Sequence, residues 1–356
     1  MSKLEKIGEL VQSAGTDAVL LTSMSNLFYV TSCHIEGMCI VTAKGEGYAF
    51  TDSRYTEKLQ QAVAGTEWKV FEPEGRNYFA AFKSFVAEHG IKKVSYEADT
   101  IRHAEYLGYE AAGAEMVPLE GGLSSIRRIK SKEEIDWIVQ AQRIAEAGLD
   151  ELMDFIKPGV TDFQITARMK YVMTGLGDEG GFYSVLVGPI SSMPHGNACG
   201  RTVQEGDFVL MDFGARYHGY ISDMTRTVAV GYATDKMAEV YDTVKRAQDA
   251  GEAAMKVGAN GREVHLAALN VVKASKYADY AFTYGLGHGV GVDVHEEPWM
   301  GLPRENQILQ TGMIVTNEPG IYIPGEFGVR IEDMIWMSPE GSKNVTLSRK
   351  DLVILK

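Results

Sequence analysis

Residues 208–231 read FVLMDFGARYHGYISDMTRTVAVG, two runs rich in β-branched, aromatic and long apolar side chains with Gly214 and Gly219 between them. Runs of that composition broken by glycine turns predict paired strands. Asp212 and Asp223 stand eleven positions apart, one on each run. A hairpin or a pair of neighbouring strands brings both carboxylates to one face. Their neighbours are apolar: Val209, Leu210, Met211 and Phe213 around the first, Ile221 and Met224 around the second. A carboxylate buried among such groups is costly without a cation beside it, so this stretch asks for positive charge from elsewhere. For the pair taken alone, two turn-forming aspartates at strand ends are an equally good account. The DFG triplet also occurs in protein kinases, but the Gly-rich loop, strand lysine and HRD segment that would make that match mechanical are missing.

Two later stretches change the balance. Residues 284–298, YGLGHGVGVDVHEEP, surround His288 with glycines at 285, 287, 289 and 291, and His295, Glu296, Glu297 and Pro298 follow. Glycines at that density suggest close approach of the backbone to a ligand. Residues 316–333, TNEPGIYIPGEFGVRIED, place Glu318 in an Asn-Glu-Pro turn and Glu332 in a strand whose alternation puts Arg330 on the same side. Each glutamate alone reads as a solvated surface charge. Together with the aspartates they make four carboxylates and one imidazole in apolar, Gly-rich settings. Four anionic ligands balance two divalent cations, and bridging carboxylates hold such a pair about 3.5–4 Å apart. Oxygen-rich ligation with one imidazole and no thiolate favours Mn(II), with Co(II) or Zn(II) open.

Outward from these motifs, the chain divides. Residues 118–131, PLEGGLSSIRRIKS, break the periodicity as an interdomain connection does, and the boundary is placed between residues 123 and 124. Before it, short apolar runs alternate with amphipathic segments, which predicts a small α/β domain over 1–123. Its first helix is predicted in MSKLEKIGELVQSAG, where Leu4, Ile7, Leu10 and Val11 have helical spacing without the continuous apolar core of a secretory signal. In TDSRY, Asp52 or Ser53 is most economically an N-cap. After the boundary, Ser131 with Glu134, Thr161 with Gln164 and Asn260 with Glu263 have capping-box spacing. The first of these opens a long helix that stops at Lys157-Pro158-Gly159. Domain 124–356 is therefore expected to be α+β, helices packed on a mostly antiparallel sheet.

The chain has 356 residues, 45% hydrophobic and 23% charged, with 35 Lys and Arg against 48 Asp and Glu and a net charge of −13. That field repels phosphate backbones and anionic surfaces, so neither nucleic acid nor membrane is an expected partner. Three cysteines without paired spacing suggest neither a disulfide framework nor a thiolate zinc site, and a reducing cytoplasmic setting is expected.

The runs DFGARYHGYISDMTRT, GLGHGVGVDVHEEP, NEPGIY and VRIED, in this order, resemble the proline-directed pita-bread metallopeptidases, Xaa-Pro dipeptidase (prolidase) and aminopeptidase P. The likeness continues through IRRIKSKEEI and SSMPHGN, and more weakly to a creatinase-type amino-terminal domain around TDSRY. It implies a curved, mostly antiparallel sheet in the catalytic domain and hydrolysis of the bond between an N-terminal residue and proline in short peptides. The metal ligands it implies are Asp212, Asp223, His288, Glu318 and Glu332, with Asp223 and Glu332 bridging, a hydroxide nucleophile and Glu318 as proton acceptor. His195 and His295 match histidines that hydrogen-bond the substrate, and Arg330 an arginine beside the last ligand. Homodimers are usual in the family. Many relatives carry histidine where this chain has Tyr284, a departure that bears on substrate preference. A dipeptidase is slightly preferred because the chain is short and shows no additional domain. A creatinase-like hydrolase would lack the ligands. The alternative from another class is a catalytically inactive peptide-binding module, which would be expected to lose ligands too.

Overall fold

Ser131 and Thr161 each open a helix in the computed structural model of the chain, which describes residues 1–302 and 307–356. Both capping boxes close as read: Ser131 Oγ accepts the Glu134 N–H at 3.2 Å while Glu134 Oε2 accepts the Ser131 N–H at 2.8 Å, and Thr161 and Gln164 repeat the exchange. Each box satisfies donors that the first helical turn otherwise leaves open. The resulting helices run Lys132–Phe155 and Asp162–Gly175. Asn260 caps the helix Gly261–Lys273 differently, accepting from Arg262 N at 2.9 Å, so the expected box with Glu263 is replaced by a simpler cap.

The chain forms two units, Met1–Arg127 and Arg128–Lys356. The division falls four residues beyond the one read from composition, because the short helix Ser124–Arg127 belongs to the first unit, where Arg127 Nη1 donates to Asn26 Oδ1 at 2.9 Å. That unit is built on a six-stranded mixed sheet in the order Trp68–Phe71, Gly47–Thr51, Gly37–Thr42, Ala18–Leu21, Lys93–Tyr96 and Glu115–Pro118. Asp52 is not a helix cap. The helix Thr56–Ala62 starts after Tyr55 with no side-chain cap, and the Asp52 carboxylate instead takes the Arg54 N–H and guanidinium and pairs with Arg76 at 3.0 Å. Two guanidiniums compete for that carboxylate better than one helix N–H does.

In the second unit the sheets are antiparallel except where Ile354–Leu355 runs parallel to Met224–Val230. A four-stranded sheet carries Phe182–Val187, Phe208–Gly214, Met224–Val230 and Ile354–Leu355, and a five-stranded sheet carries Gly287–Gly289, Glu296–Met300, Ile314–Asn317, Asp333–Ser338 and Gly341–Asn344. One core packs the helices Lys132–Phe155 and Asp162–Gly175 against Val185, Val209, Met211 and Phe213. The other packs Asp235–Ala254 and Gly261–Lys273 against Val315, Val329, Ile335 and Met337. The strands that hold the polar motifs lie between two apolar helical layers, whose burial offsets the cost of burying polar groups. No helix among the described residues is long and apolar enough to cross a membrane.

Candidate metal centre

The first two carboxylates come together through strand pairing. Phe208–Gly214 pairs with Met224–Val230 so that Asp212 faces Thr225, and Asp223 sits immediately before that strand. Between them Tyr217 pairs with Tyr220 across His218 and Gly219, both at positive φ of 48° and 76°, the geometry of a tight two-residue hairpin. On the other side of Thr225 lies Glu332, whose N–H donates to Thr225 O at 3.1 Å. One threonine therefore stands between two acidic side chains from different parts of the sequence.

His288 enters from the five-stranded sheet, its N–H bonded to Thr316 Oγ1 at 3.1 Å. Its Nδ1 lies 3.0 Å from Gly289 O, a carbonyl that can only accept, so Nδ1 carries a proton, and Nε2 faces the acidic cluster as the nitrogen that would ligate a cation. Nε2 is 3.7 Å from Asp223 Oδ2 and 3.2 Å from Glu318 Oε1. The flanking glycines serve a purpose other than the one read from sequence. A Cβ on Gly287 would stand 2.1 Å from Thr316 O, and one on Gly289 2.1 Å from Glu297 O, so the close approach is to neighbouring strands of the protein itself.

Asp223, His288 and Glu332 offer ligand atoms all within 4.8 Å of one another. Asp212 and Glu318 flank this trio and line the same cavity of about 990 Å³, as do His195, Tyr284, His295, Trp299 and Arg330. Asp223 Oδ1 and Glu332 Oε1 are buried without a hydrogen-bond partner among the described residues. Such orphaned carboxylate oxygens beside an imidazole nitrogen fit a divalent cation well. Burial, and then the neighbouring carboxylate charges, push the Asp223 and Glu332 carboxyls well above their ordinary range, and burial also raises Asp212. Burial is the largest influence on His288 and opposes its charge, but the Glu318 hydrogen bond, the Glu318 and Asp212 charges and the Gly289 carbonyl together shift the imidazole up. Burial is likewise the largest influence on Glu318, and the His288 hydrogen bond with the His288, Arg330 and His295 charges together lower it.

Arg330 meets the centre through three contacts: Nη2 to Asp212 Oδ2 at 2.5 Å, Nε to Thr225 Oγ1 at 2.9 Å and Nη1 to Tyr322 OH at 2.8 Å. Tyr322 OH is also 3.1 Å from Tyr284 OH. His195 and His295 are exposed side chains on the cavity wall; the His295 ring stands 4.3 Å from that of His288 and 6.4 Å from that of Trp299, to which it is nearly parallel. Burial followed by the His288 charge lowers the His295 pKa. Thr225 and Tyr322 were not singled out in the sequence. Both carried a signal, since Thr225 follows Asp223 by two positions and Tyr322 lies inside NEPGIY.

Buried carboxylates short of cations, facing an imidazole nitrogen in an open cavity, are the marks of a metal-dependent enzyme. The chain belongs to metallopeptidase family M24, whose model matches residues 136–339, and residues 3–129 match the Creatinase/Prolidase N-terminal domain. It is 38% identical to the uncharacterised peptidase YqhT of Bacillus subtilis (strain 168), over 99% of this chain and all of that protein. An Xaa-Pro dipeptidase from Bacillus anthracis superposes with a TM-score of 0.93 at 36% identity, covering 99% of both chains. An X-Pro aminopeptidase from Thermotoga maritima superposes at 0.88 and 28% identity, covering 97% of this chain and 99% of that one. The family resemblance read from the motifs therefore holds, and with it the fold, a creatinase-type α/β domain followed by an α+β pita-bread catalytic domain. The inactive binding module finds no support among these relatives.

Proposed function

We propose that this chain hydrolyses the bond between an N-terminal residue and proline, with two divalent cations held by Asp212, Asp223, His288, Glu318 and Glu332. The observation that carries the reading is the pair of orphaned oxygens, Asp223 Oδ1 and Glu332 Oε1, in one group of close ligand atoms with His288. When bound, such cations polarise the scissile carbonyl and make water nucleophilic near neutral pH. Glu318, whose side chain is 16% exposed on the cavity wall, is assigned the proton released in the attack, the role the family resemblance implies for it. His195 and His295 stand on the cavity wall and hold the peptide at its carbonyl oxygen. Phe182, Val185, Val294 and Trp299 line the same space. A prolyl nitrogen carries no hydrogen, so an apolar wall can close on the ring without leaving a donor unpaired.

Mn(II) is the first choice of cation on the oxygen-rich donor set. A homodimer in a reducing, cytoplasmic compartment completes the reading, and sedimentation of the purified protein checks the assembly. The central test is a peptide panel with Mn(II) or Co(II) supplied: Xaa-Pro dipeptides, longer Xaa-Pro-Yaa peptides, and matched peptides with alanine or leucine in place of proline. Cleavage confined to the proline series and abolished by a chelator is the expected result. Equal rates on the leucine and proline series would remove the proline-specific reading.

A further inference from the structure

One wall of the cavity is a helix face. Phe163, Thr166, Ala167 and Lys170 of Asp162–Gly175 all line it, the spacing of a single stripe on an α-helix. That wall is fixed at its start. The buried Asp162 carboxylate accepts the N–H groups of Cys199 and Gly200, each at 2.9 Å, and of Arg201 at 3.2 Å, which ties the helix to the loop that brings His195, Asn197 and Ala198 to the cavity.

Charge on the cavity wall is unevenly committed. Four carboxylates line it, and the Arg330 guanidinium is spent on Asp212, Thr225 and Tyr322. Lys170 makes no hydrogen bond or ion pair among the described residues, in a chain whose net charge is −13. Two positions earlier, Arg168 is taken by Glu151 at 2.8 Å. An exposed helical lysine is ordinarily just solvated. Lys170 differs in facing a cavity dominated by anions while remaining uncommitted. A peptide brings one charge of each sign to such a cavity. Two bound cations would balance the four carboxylates and Arg330 is already committed, so the substrate carboxylate needs a cation elsewhere on the wall, and Lys170 supplies one.

We propose that Lys170 is a specificity-determining residue that receives the C-terminal carboxylate of the substrate. The proposal rests on the peptidase reading above.

Its test pairs a change in the enzyme with a change in the ligand. Xaa-Pro peptides with a free carboxylate and the same peptides amidated are compared on the wild type, K170M and K170R, all loaded with Mn(II), by kcat/KM and by calorimetric binding. In the wild type and K170R, amidation should weaken kcat/KM and binding about fivefold, the scale of a partly solvated charge pair, with the kinetic loss appearing in KM. In K170M the acid and amide should converge on the wild-type amide values, and raising the salt concentration should erase the wild-type difference. An equal amidation penalty in wild type and K170M, or none in the wild type, overturns the proposal. Calorimetry separates it from its parent: a Lys170-dependent preference for the acid in binding, without hydrolysis of any peptide, would sustain the carboxylate site and sink the peptidase reading.

Discussion

Thr225 stands hydroxyl to carboxylate against Glu332, its Oγ1 2.6 Å from Oε2. The same hydroxyl oxygen accepts the Arg330 Nε–H at 2.9 Å, so its one proton is committed to Glu332. Glu332 is thereby held with Oε2 occupied and Oε1 unpartnered. Below it, Arg226 donates to the Glu332 and Thr225 carbonyls at 2.7 and 2.9 Å and pairs with Asp333 at 2.7 Å, fixing the backbone on which both side chains stand. The arrangement leaves one oxygen of a buried carboxylate unpartnered among the described residues, at the place proposed for a cation.

Thr225→Val keeps the shape and removes the hydroxyl. Glu332 Oε2 then loses its donor and Arg330 Nε its acceptor, an expected cost of about 1–3 kcal/mol in stability. Loss of such an orienting contact lowers metal affinity by about 10–100-fold. Metal titration of the variant checks this, with Thr225→Ser expected to recover most of the affinity. Wild-type affinity in the valine variant would detach Thr225 from the centre.

Asp223→Asn separates two roles of one carboxylate. With cations supplied, occupancy and turnover should both fall, and Glu332→Gln should behave alike. Stripped of metal, Asp223→Asn should melt above the stripped wild type, because it removes an anion that burial and neighbouring carboxylates oppose. Thermal melts of both proteins with chelator and with Mn(II) give the comparison. Full metal content with normal turnover would remove Asp223 from the ligand set.

His195→Ala and His295→Ala should keep their metal and lose turnover by about 10²–10³, the scale of a contact made to the reacting carbonyl. Both rings line the cavity without belonging to the group of ligand atoms within 4.8 Å. Elemental analysis beside steady-state rates decides. Metal loss from either variant would move that histidine among the ligands.

The metal-free protein should lose stability as pH rises. Burial raises the Asp212, Asp223 and Glu332 carboxyls, so the folded state keeps protons that the unfolded chain has released. Stability then declines from the ordinary carboxylate range upward, through the raised values. His288, also shifted up, adds a contribution present below its unfolded pKa and lost as pH passes its folded one. Glu318 acts oppositely: its lowered value gives stability present above its ordinary 4.5 and lost on acidification below that range. Above about pH 5 the declining contributions dominate. Bound cations replace the protons, so the Tm gap between loaded and chelated protein should widen between pH 5.5 and 8, values chosen to bracket about the histidine range. Parallel melting curves would contradict the carboxylate cluster.

What was legible in the sequence was local or carried by motifs. Ser131 with Glu134 and Thr161 with Gln164 specify their helices because each cap is made within one turn. Asp212, Asp223, His288, Glu318 and Glu332 were readable as a set because too many carboxylates lay in apolar surroundings. Asp52 was misread because its carboxylate is shared by two arginines, Arg54 beside it in TDSRY and Arg76, which lies 24 positions away. The glycines around His288 were credited to a ligand because the strands that press on them come from residues 297 and 316.

The sequence by itself determined the helix starts, the strand runs and the residue types able to bind cations, since these depend on neighbours within a few positions. Tertiary structure alone decided which oxygen of Glu332 is left unpartnered among the described residues, that Arg330 is spent on Asp212 and Tyr322, and that Lys170 faces the cavity uncommitted. Those outcomes turn on strand register and helix rotation, which place atoms more than a hundred positions apart within hydrogen-bond reach, as Thr225 and Glu332 are at 107. A slip of one residue in either strand would turn the same side chains to the opposite face and dissolve the site while leaving every motif intact.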